Sequence, residues 1–285
     1  MAEWPPEPPV PMPEGRVVHV KGRGELFVRD TGGDGPPILL LHGWMFSADL
    51  NFWRTYAPLA EAGNRVLAID HRGHGRGIRT HVPFRLGDCA ADAAGLIRQL
   101  DLGPVDVVGY SMGGPVAQLM ARDHPDTVAG LILCATSTQW KDLRQRALWS
   151  SLAIIRLFLG LAPDVIWQRG LRLVGFPDSP ITTWTTSELT RGSAVDLAEA
   201  GHELQGYDSR PWIGDLDVPA AVIVTARDAG VPPGHQRELA RLLDAPAFEV
   251  DGDHGAAISK AREFNATLIE ALAHVRTAAP ATAAA

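Results

Sequence analysis

The stretch VDVVGYSMGGPVAQLM, residues 105–120, runs from a short β-branched segment into glycines packed around a single serine. Val105 to Tyr110 has the composition of a strand buried on both faces of a parallel sheet, and the residues from Met112 to His124 read as a helix. A serine hydroxyl is a weak nucleophile that has to be both exposed and activated. A sharp strand-to-helix turn exposes Ser111 but crowds the backbone beside it, and glycines two residues before and after relieve that crowding. Gly109-Tyr110-Ser111-Met112-Gly113 therefore has the chemistry of a nucleophile elbow. The helix start adds N–H groups and a positive dipole end, which favour a developing oxyanion. Pro115 falls in the first turn, where a missing N–H costs little. The plainer alternative is a glycine-rich turn that lets a helix pack closely on a strand.

Outward from this turn the chain alternates strands and helices. RVVHVKG and ELFVRDTG alternate in polarity and read as an opening hairpin. PILLLHG (37–43), RVLAIDHRG (65–73), GLILCAT (130–136), AAVIVTARD (220–228) and FEVDGDH (248–254) join VDVVGY as buried strands. LGDCAADAAGLIRQL (86–100) is a helix by pattern. Regular alternation predicts an α/β fold, a mostly parallel eight-stranded sheet flanked by helices with right-handed crossovers. The alternation breaks over 138–213, which is too long for one crossover and helical by pattern, so an inserted helical cap is expected there. The core is then 16–137 with 214–276. The proline-rich residues 1–15 are expected to be a flexible leader and 277–285 a disordered tail.

The 285-residue chain carries 46% hydrophobic and 21% charged residues, ordinary for a globular enzyme. A formal charge of −7 leaves no electrostatic footprint for a nucleic-acid partner. The start lacks the basic and apolar regions of a signal peptide, and no run reaches a transmembrane length. A cytoplasmic protein is the expectation. Cys89 and Cys134, the only cysteines, sit in apolar patterns without metal or redox spacing and read as buried thiols.

An activated serine needs a base and an acid, in the chain order serine, acid, histidine. Of ten histidines, His254 follows the last strand and precedes the last helix, where such a base belongs; His235, in VPPGHQRELA, opens a helix instead. Asp228 ends the strand AAVIVTARD, placed to accept from the imidazole and fix its tautomer. Asp215 and Asp217 precede that strand and belong at the other end of the sheet. Asp251 and Asp253 are too near His254 in sequence to dock on it comfortably.

With these segments in this order, the sequence resembles the α/β-hydrolase family over residues 16–275. LLHGW (40–44) is similar to the family's oxyanion loop and IDHRGHGRG (69–77) to its turn after the next strand. HGWMFSADLNFW followed by GYSMGG resembles the branch of aryl esterases and cofactor-free haloperoxidase-like enzymes, and the long cap resembles those of carboxylesterases and lipase-like members. The resemblance implies Ser111, Asp228 and His254 as catalytic residues and the backbone N–H groups of Trp44 and Met112 as an oxyanion hole. It implies that His42, Gly43, Asp70 and His74 shape the site, with no metal and no cofactor. Two segments depart from the family: Arg76-Gly77 stands where Ser or Thr often follows Gly-His-Gly, and Thr225-Ala226-Arg227-Asp228 replaces a His-Gly-Asp-x-Asp pattern.

A fold does not choose a reaction. Ser111 excludes the aspartate nucleophile of epoxide- and halide-cleaving branches in their usual form. The reading is a serine hydrolase cleaving hydrophobic short- or medium-chain or aryl esters through an acyl-enzyme. The alternatives are acyl transfer, perhydrolysis, carbon–carbon bond hydrolysis, or a receptor-like binding protein. Tyr110, Trp140, Trp149 and Trp184 are expected at a substrate pocket, although helical spacing assigns most of the cap's apolar surface to packing on the core. The partner is a small hydrophobic ester, and the oligomeric state stays open.

Overall fold

The hairpin forms between β1 (Glu14–Val20) and β2 (Gly24–Asp30), which pair antiparallel from Glu14 with Asp30 to Val20 with Gly24. The computed structural model describes residues 6–141, 152–173 and 175–278. The apolar runs become β3 (Pro37–Leu41), β4 (Arg65–Ile69), β5 (Val105–Tyr110), β6 (Val128–Cys134), β7 (Ala220–Thr225) and β8 (Ala247–Val250). They assemble one eight-stranded sheet in the order β1-β2-β4-β3-β5-β6-β7-β8. From β4 to β8 every pairing is parallel, and β2 joins β4 antiparallel.

Strand alternation divides the core between two faces. Leu39, Leu41, Val107, Leu131 and Val222 face the helices Leu86–Gln99 and Gly113–Asp123. Ile38, Leu40, Val108, Ile132 and Ala221 face the opposite layer, which includes the carboxy-terminal helix Ala261–Ala278. Because both faces are covered, the strands carry apolar residues at nearly every position rather than alternating ones. Each fully buried Leu or Ile contributes about 1.5–3 kcal/mol.

Between β6 and β7 lie the helices Leu152–Leu161, Pro163–Leu173, Pro180–Leu189 and Ala194–Gly206, the expected helical insertion. The last of them is tied to the core. Ser193 N–H donates to the Gly73 carbonyl at 2.8 Å, and Phe84 N–H donates to Glu199 Oε2 at 2.7 Å. β1 begins at Glu14, inside the stretch expected as leader, and Arg29 donates to the Pro13 carbonyl at 2.8 Å. The last helix continues to Ala278, two residues past the expected end of the core. Among the described residues no helix is long and apolar enough to cross a membrane.

Every parallel strand ends on the same edge of the sheet. The loops after β3, β5, β7 and β8 therefore converge there, which is where open α/β sheets place ligands.

Candidate active site

Ser111 follows β5 directly with φ +53°, in the left-handed region that a side-chain-bearing residue rarely adopts. The neighbours over-determine this conformation. Ser111 N–H donates to the Cys134 carbonyl at 2.9 Å, while its own carbonyl accepts Thr136 Oγ1 at 2.8 Å and Gly114 N–H at 2.9 Å. A Cβ on Gly109 would strike the Gly113 carbonyl, one on Gly113 the Leu41 carbonyl, and one on Gly114 the Thr136 side chain. The three glycines thus have separate jobs: the first and second let strand, turn and β3 close up, and the third admits the threonine that clamps the turn.

His254, in the loop after β8, places Nε2 2.9 Å from Ser111 Oγ and Nδ1 2.7 Å from Asp228 Oδ2. With Nδ1–H committed to the carboxylate, Nε2 is left to accept from the serine hydroxyl. The carboxylate is itself held rigidly. Oδ1 accepts the Gly230 and Val231 N–H groups, both at 2.8 Å, and Oδ2 also accepts Thr225 Oγ1 at 2.8 Å. Gln236, fully buried on the helix Pro233–Leu242, donates to the Val231 carbonyl at 2.7 Å and to Asp228 Oδ2 at 3.3 Å. Thr225 and Gln236 have no spacing signature linking them to an acid three and eight residues away, so sequence reading missed them.

The loop after β3 covers the serine. A Cβ on Gly43 would sit 3.2 Å from Ser111 Cβ, and Gly43 N–H donates to Asn51 Oδ1 at 2.9 Å. Met45 adopts φ +67°, which folds the loop back on itself. The Trp44 indole N–H donates to the Leu197 carbonyl at 2.7 Å, so this ring faces the insertion. Beneath the loop, His42 Nε2 accepts His71 N–H at 2.9 Å, and the His42 ring lies 4.3 Å from that of His71. Burial holds His42 well below its ordinary value, His71 at about 3 and His74 at about 4, so all three are neutral scaffolding. Asp70 accepts the Ala48 and Arg76 N–H groups, both at 2.7 Å, and organises two loops at once. Among the described residues no group of three or more His, Cys, Asp or Glu side chains is arranged to hold a metal ion.

The residues expected at a pocket are placed differently. Tyr110 is in the core, its ring edge-on to Phe264 at 5.7 Å and to Phe52 at 6.5 Å. Strand alternation puts it on the sheet face opposite the helix of the elbow. Trp140 is 5% exposed within the other core cluster. Trp184 packs edge-on to Trp53 at 6.1 Å beside Leu50 and Leu189, filling the seam between insertion and core. Their apolar area is used for packing, as helical spacing suggested for most of the cap. Trp149 lies outside the described residues.

A mostly parallel eight-stranded sheet whose loops gather a serine, a histidine and an aspartate defines the α/β-hydrolase class. The model of the alpha/beta hydrolase fold family matches residues 36–162. The chain belongs to this family. It is 34% identical over 259 residues, 87% of this chain and 98% of the relative, to a pimeloyl-[acyl-carrier protein] methyl ester esterase of Chromobacterium violaceum. A protein of the same name from Neisseria meningitidis is 30% identical over 241 residues, 80% of this chain and 90% of that one. Among solved structures, a thermophilic esterase from Thermogutta terrifontis is similar with a TM-score of 0.76 and 23% identity, covering 92% of this chain and 99% of that one. A bromoperoxidase from Bacillus anthracis gives a TM-score of 0.76 and 22% identity, covering 91% and 100%. At such identities the structural likeness speaks to the fold alone.

Proposed function

We propose that this chain is a serine carboxylesterase that acts on small hydrophobic esters through an acyl-enzyme. Its relatives make it a carboxylic ester hydrolase; the serine route and the substrate are the added reading. The observation that carries it is the relay Asp228 Oδ2–His254 Nδ1 at 2.7 Å and His254 Nε2–Ser111 Oγ at 2.9 Å.

In this reading Ser111 Oγ attacks the ester carbonyl as its proton passes to His254 Nε2, and Asp228 stabilises the imidazolium. The backbone N–H groups of Trp44 and Met112 hold the oxyanion, one donor being worth about 10² to 10³ in kcat. His254 returns the proton to the leaving alcohol as the carbon–oxygen bond breaks. Water, deprotonated by the same Nε2, then attacks the acyl-enzyme, and Ser111 recovers its proton as the acid departs. In this reading the insertion forms the cap over this site, and the helix Ala194–Gly206 presents a wall against which Trp44 rests. The names of the relatives point to methanol as one leaving alcohol worth testing.

Turnover of p-nitrophenyl and methyl esters over a chain-length series, wild type against Ser111→Ala, tests the proposal. Loss of the nucleophile is expected to lower kcat by about 10⁶, and the length optimum sizes the acyl site. A Ser111→Ala variant as active as wild type refutes the serine route. Product analysis with added alcohol or peroxide reads whether water is the true acceptor.

A further inference from the structure

Tyr110 carries the nucleophile as its next residue, yet its side chain bonds to the loop of the base. The phenol donates to the His254 carbonyl at 2.8 Å. The His254 carbonyl lies just ahead of the short helix Ala256–Ser259. The ring is 3% exposed and packs against Phe52 and Phe264, so the hydroxyl has little freedom to leave this partner. Burial raises its pKa, which keeps the donor protonated at any working pH.

His254 needs such a support. Its side chain is 39% exposed and its described polar contacts are the two relay partners, Asp228 and Ser111. Beyond these its ring has the Tyr110 ring beside it, centroids 6.1 Å apart, so the backbone at residue 254 has a large share in where the imidazole stands. The Tyr110 hydroxyl, donating to the carbonyl of residue 254 itself, holds that backbone at the point from which the imidazole branches. Because that hydroxyl belongs to the residue before Ser111, the nucleophile and the base are indexed to one strand end.

We propose that Tyr110 is a positioning residue that sets the distance between Ser111 Oγ and His254 Nε2 by holding the His254 backbone carbonyl. The inference rests on the serine reading above. It predicts an effect on chemistry without one on binding, since the hydroxyl bonds a backbone carbonyl and not Ser111 Oγ, the imidazole nitrogens or the loop after β3.

The test is Tyr110→Phe, which keeps the ring and removes the bond to the His254 carbonyl. The variant is expected to fold, with kcat for p-nitrophenyl butyrate lowered about 10- to 100-fold, the effect of misplacing a catalytic group by a fraction of an ångström to an ångström. KM should change less than about threefold, inactivation by a fluorophosphonate should slow by the factor seen in kcat, and the low-field His254 Nδ1 proton resonance should broaden or vanish. Phe264→Leu, which loosens the same packing but keeps the hydroxyl, should lower Tm and leave kcat near wild type. Incorporation of 4-aminophenylalanine at position 110, which retains a donor, should restore most of kcat and decides the matter even if Tyr110→Phe does not fold.

Wild-type kcat in Tyr110→Phe, a change confined to KM, an equal loss in Phe264→Leu, or no recovery with the amine each overturns the proposal. Ser111→Ala run alongside separates the two readings. If it abolishes both hydrolysis and labelling while Tyr110→Phe behaves as wild type, only the clamp is wrong. If it changes neither, the serine route fails and the clamp falls with it.

Discussion

Asp228 illustrates how much a single side chain is asked to do. Its two oxygens accept from Gly230, Val231, Thr225, Gln236 and His254, all within 3.3 Å, and its side chain is fully buried. Such a carboxylate fixes a tautomer as well as a charge. Asp228→Asn keeps the volume and the Oδ1 contacts, but presents an amide N–H₂ or a neutral carbonyl toward His254 Nδ1. If the amide faces the ring, Nδ1 must become the acceptor and Nε2 carries the proton, the wrong arrangement for taking one from Ser111. The expected result is a fall in kcat of about 10⁴ with little change in KM, read from ester turnover, while near-ultraviolet circular dichroism stays unchanged. At this scale the sequence was legible where chemistry imposes local spacing, as with Gly109, Ser111 and Gly113, or order along the chain, as with Asp228 and His254. It was silent on Gln236 and Thr225, and on Tyr110's bond to the His254 carbonyl, because which way a strand-end side chain points depends on the sheet's two faces.

At the scale of elements, the insertion is joined to the core by a buried ionic cluster. Glu188, 2% exposed on the helix Pro180–Leu189, accepts Arg76 Nη2 at 2.7 Å and Nη1 at 3.0 Å, Ser47 Oγ at 2.8 Å and Arg191 Nε at 2.9 Å. Arg76 lies 3.3 Å from Asp49 Oδ2 as well and stacks 4.9 Å above the Phe27 ring. Breaking a buried pair strands a charge, whereas replacing both partners removes the problem. Glu188→Ala is expected to cost about 3 kcal/mol. Arg76→Met with Glu188→Leu should cost less than the sum of the single changes, and a double-mutant cycle by denaturant unfolding measures the difference. Additive costs would mean that the cluster does not couple insertion to core. The strands of the sheet were legible as unbroken apolar runs because burial on both faces leaves them no polar alternation. The departure at Arg76 was visible too, but nothing in its spacing names a partner 112 residues away.

Across the whole molecule, the buried groups beneath the loops around Ser111 weigh on how stability follows pH. His42, His71 and His74 are kept neutral by burial, well below the 6.5 of an exposed ring, with His71 at about 3 and His74 at about 4. In the unfolded chain each ring takes a proton as pH falls through about 6.5, so acid favours unfolding. Asp70 works in the opposite sense. Burial raises its carboxyl to about 6, so between about 6 and 4 the folded protein holds a proton that the unfolded chain does not, and acid favours folding. Three protons gained on unfolding against one lost leave an excess of about two on the unfolded side. Stability should therefore fall with decreasing pH, at up to about 2.7 kcal/mol per pH unit between pH 6 and 4. Asp30, held at about 2 against burial by the Arg65 and Arg16 guanidiniums and the Gly32 N–H, adds a further loss only below about pH 4. Denaturant midpoints measured from pH 8 to 4.5 should be flat down to about 6.5 and then drop steeply. In His71→Leu the drop should be shallower by about 1.4 kcal/mol per pH unit, one proton's share; an unchanged slope would show that His71 does not titrate on unfolding in this window.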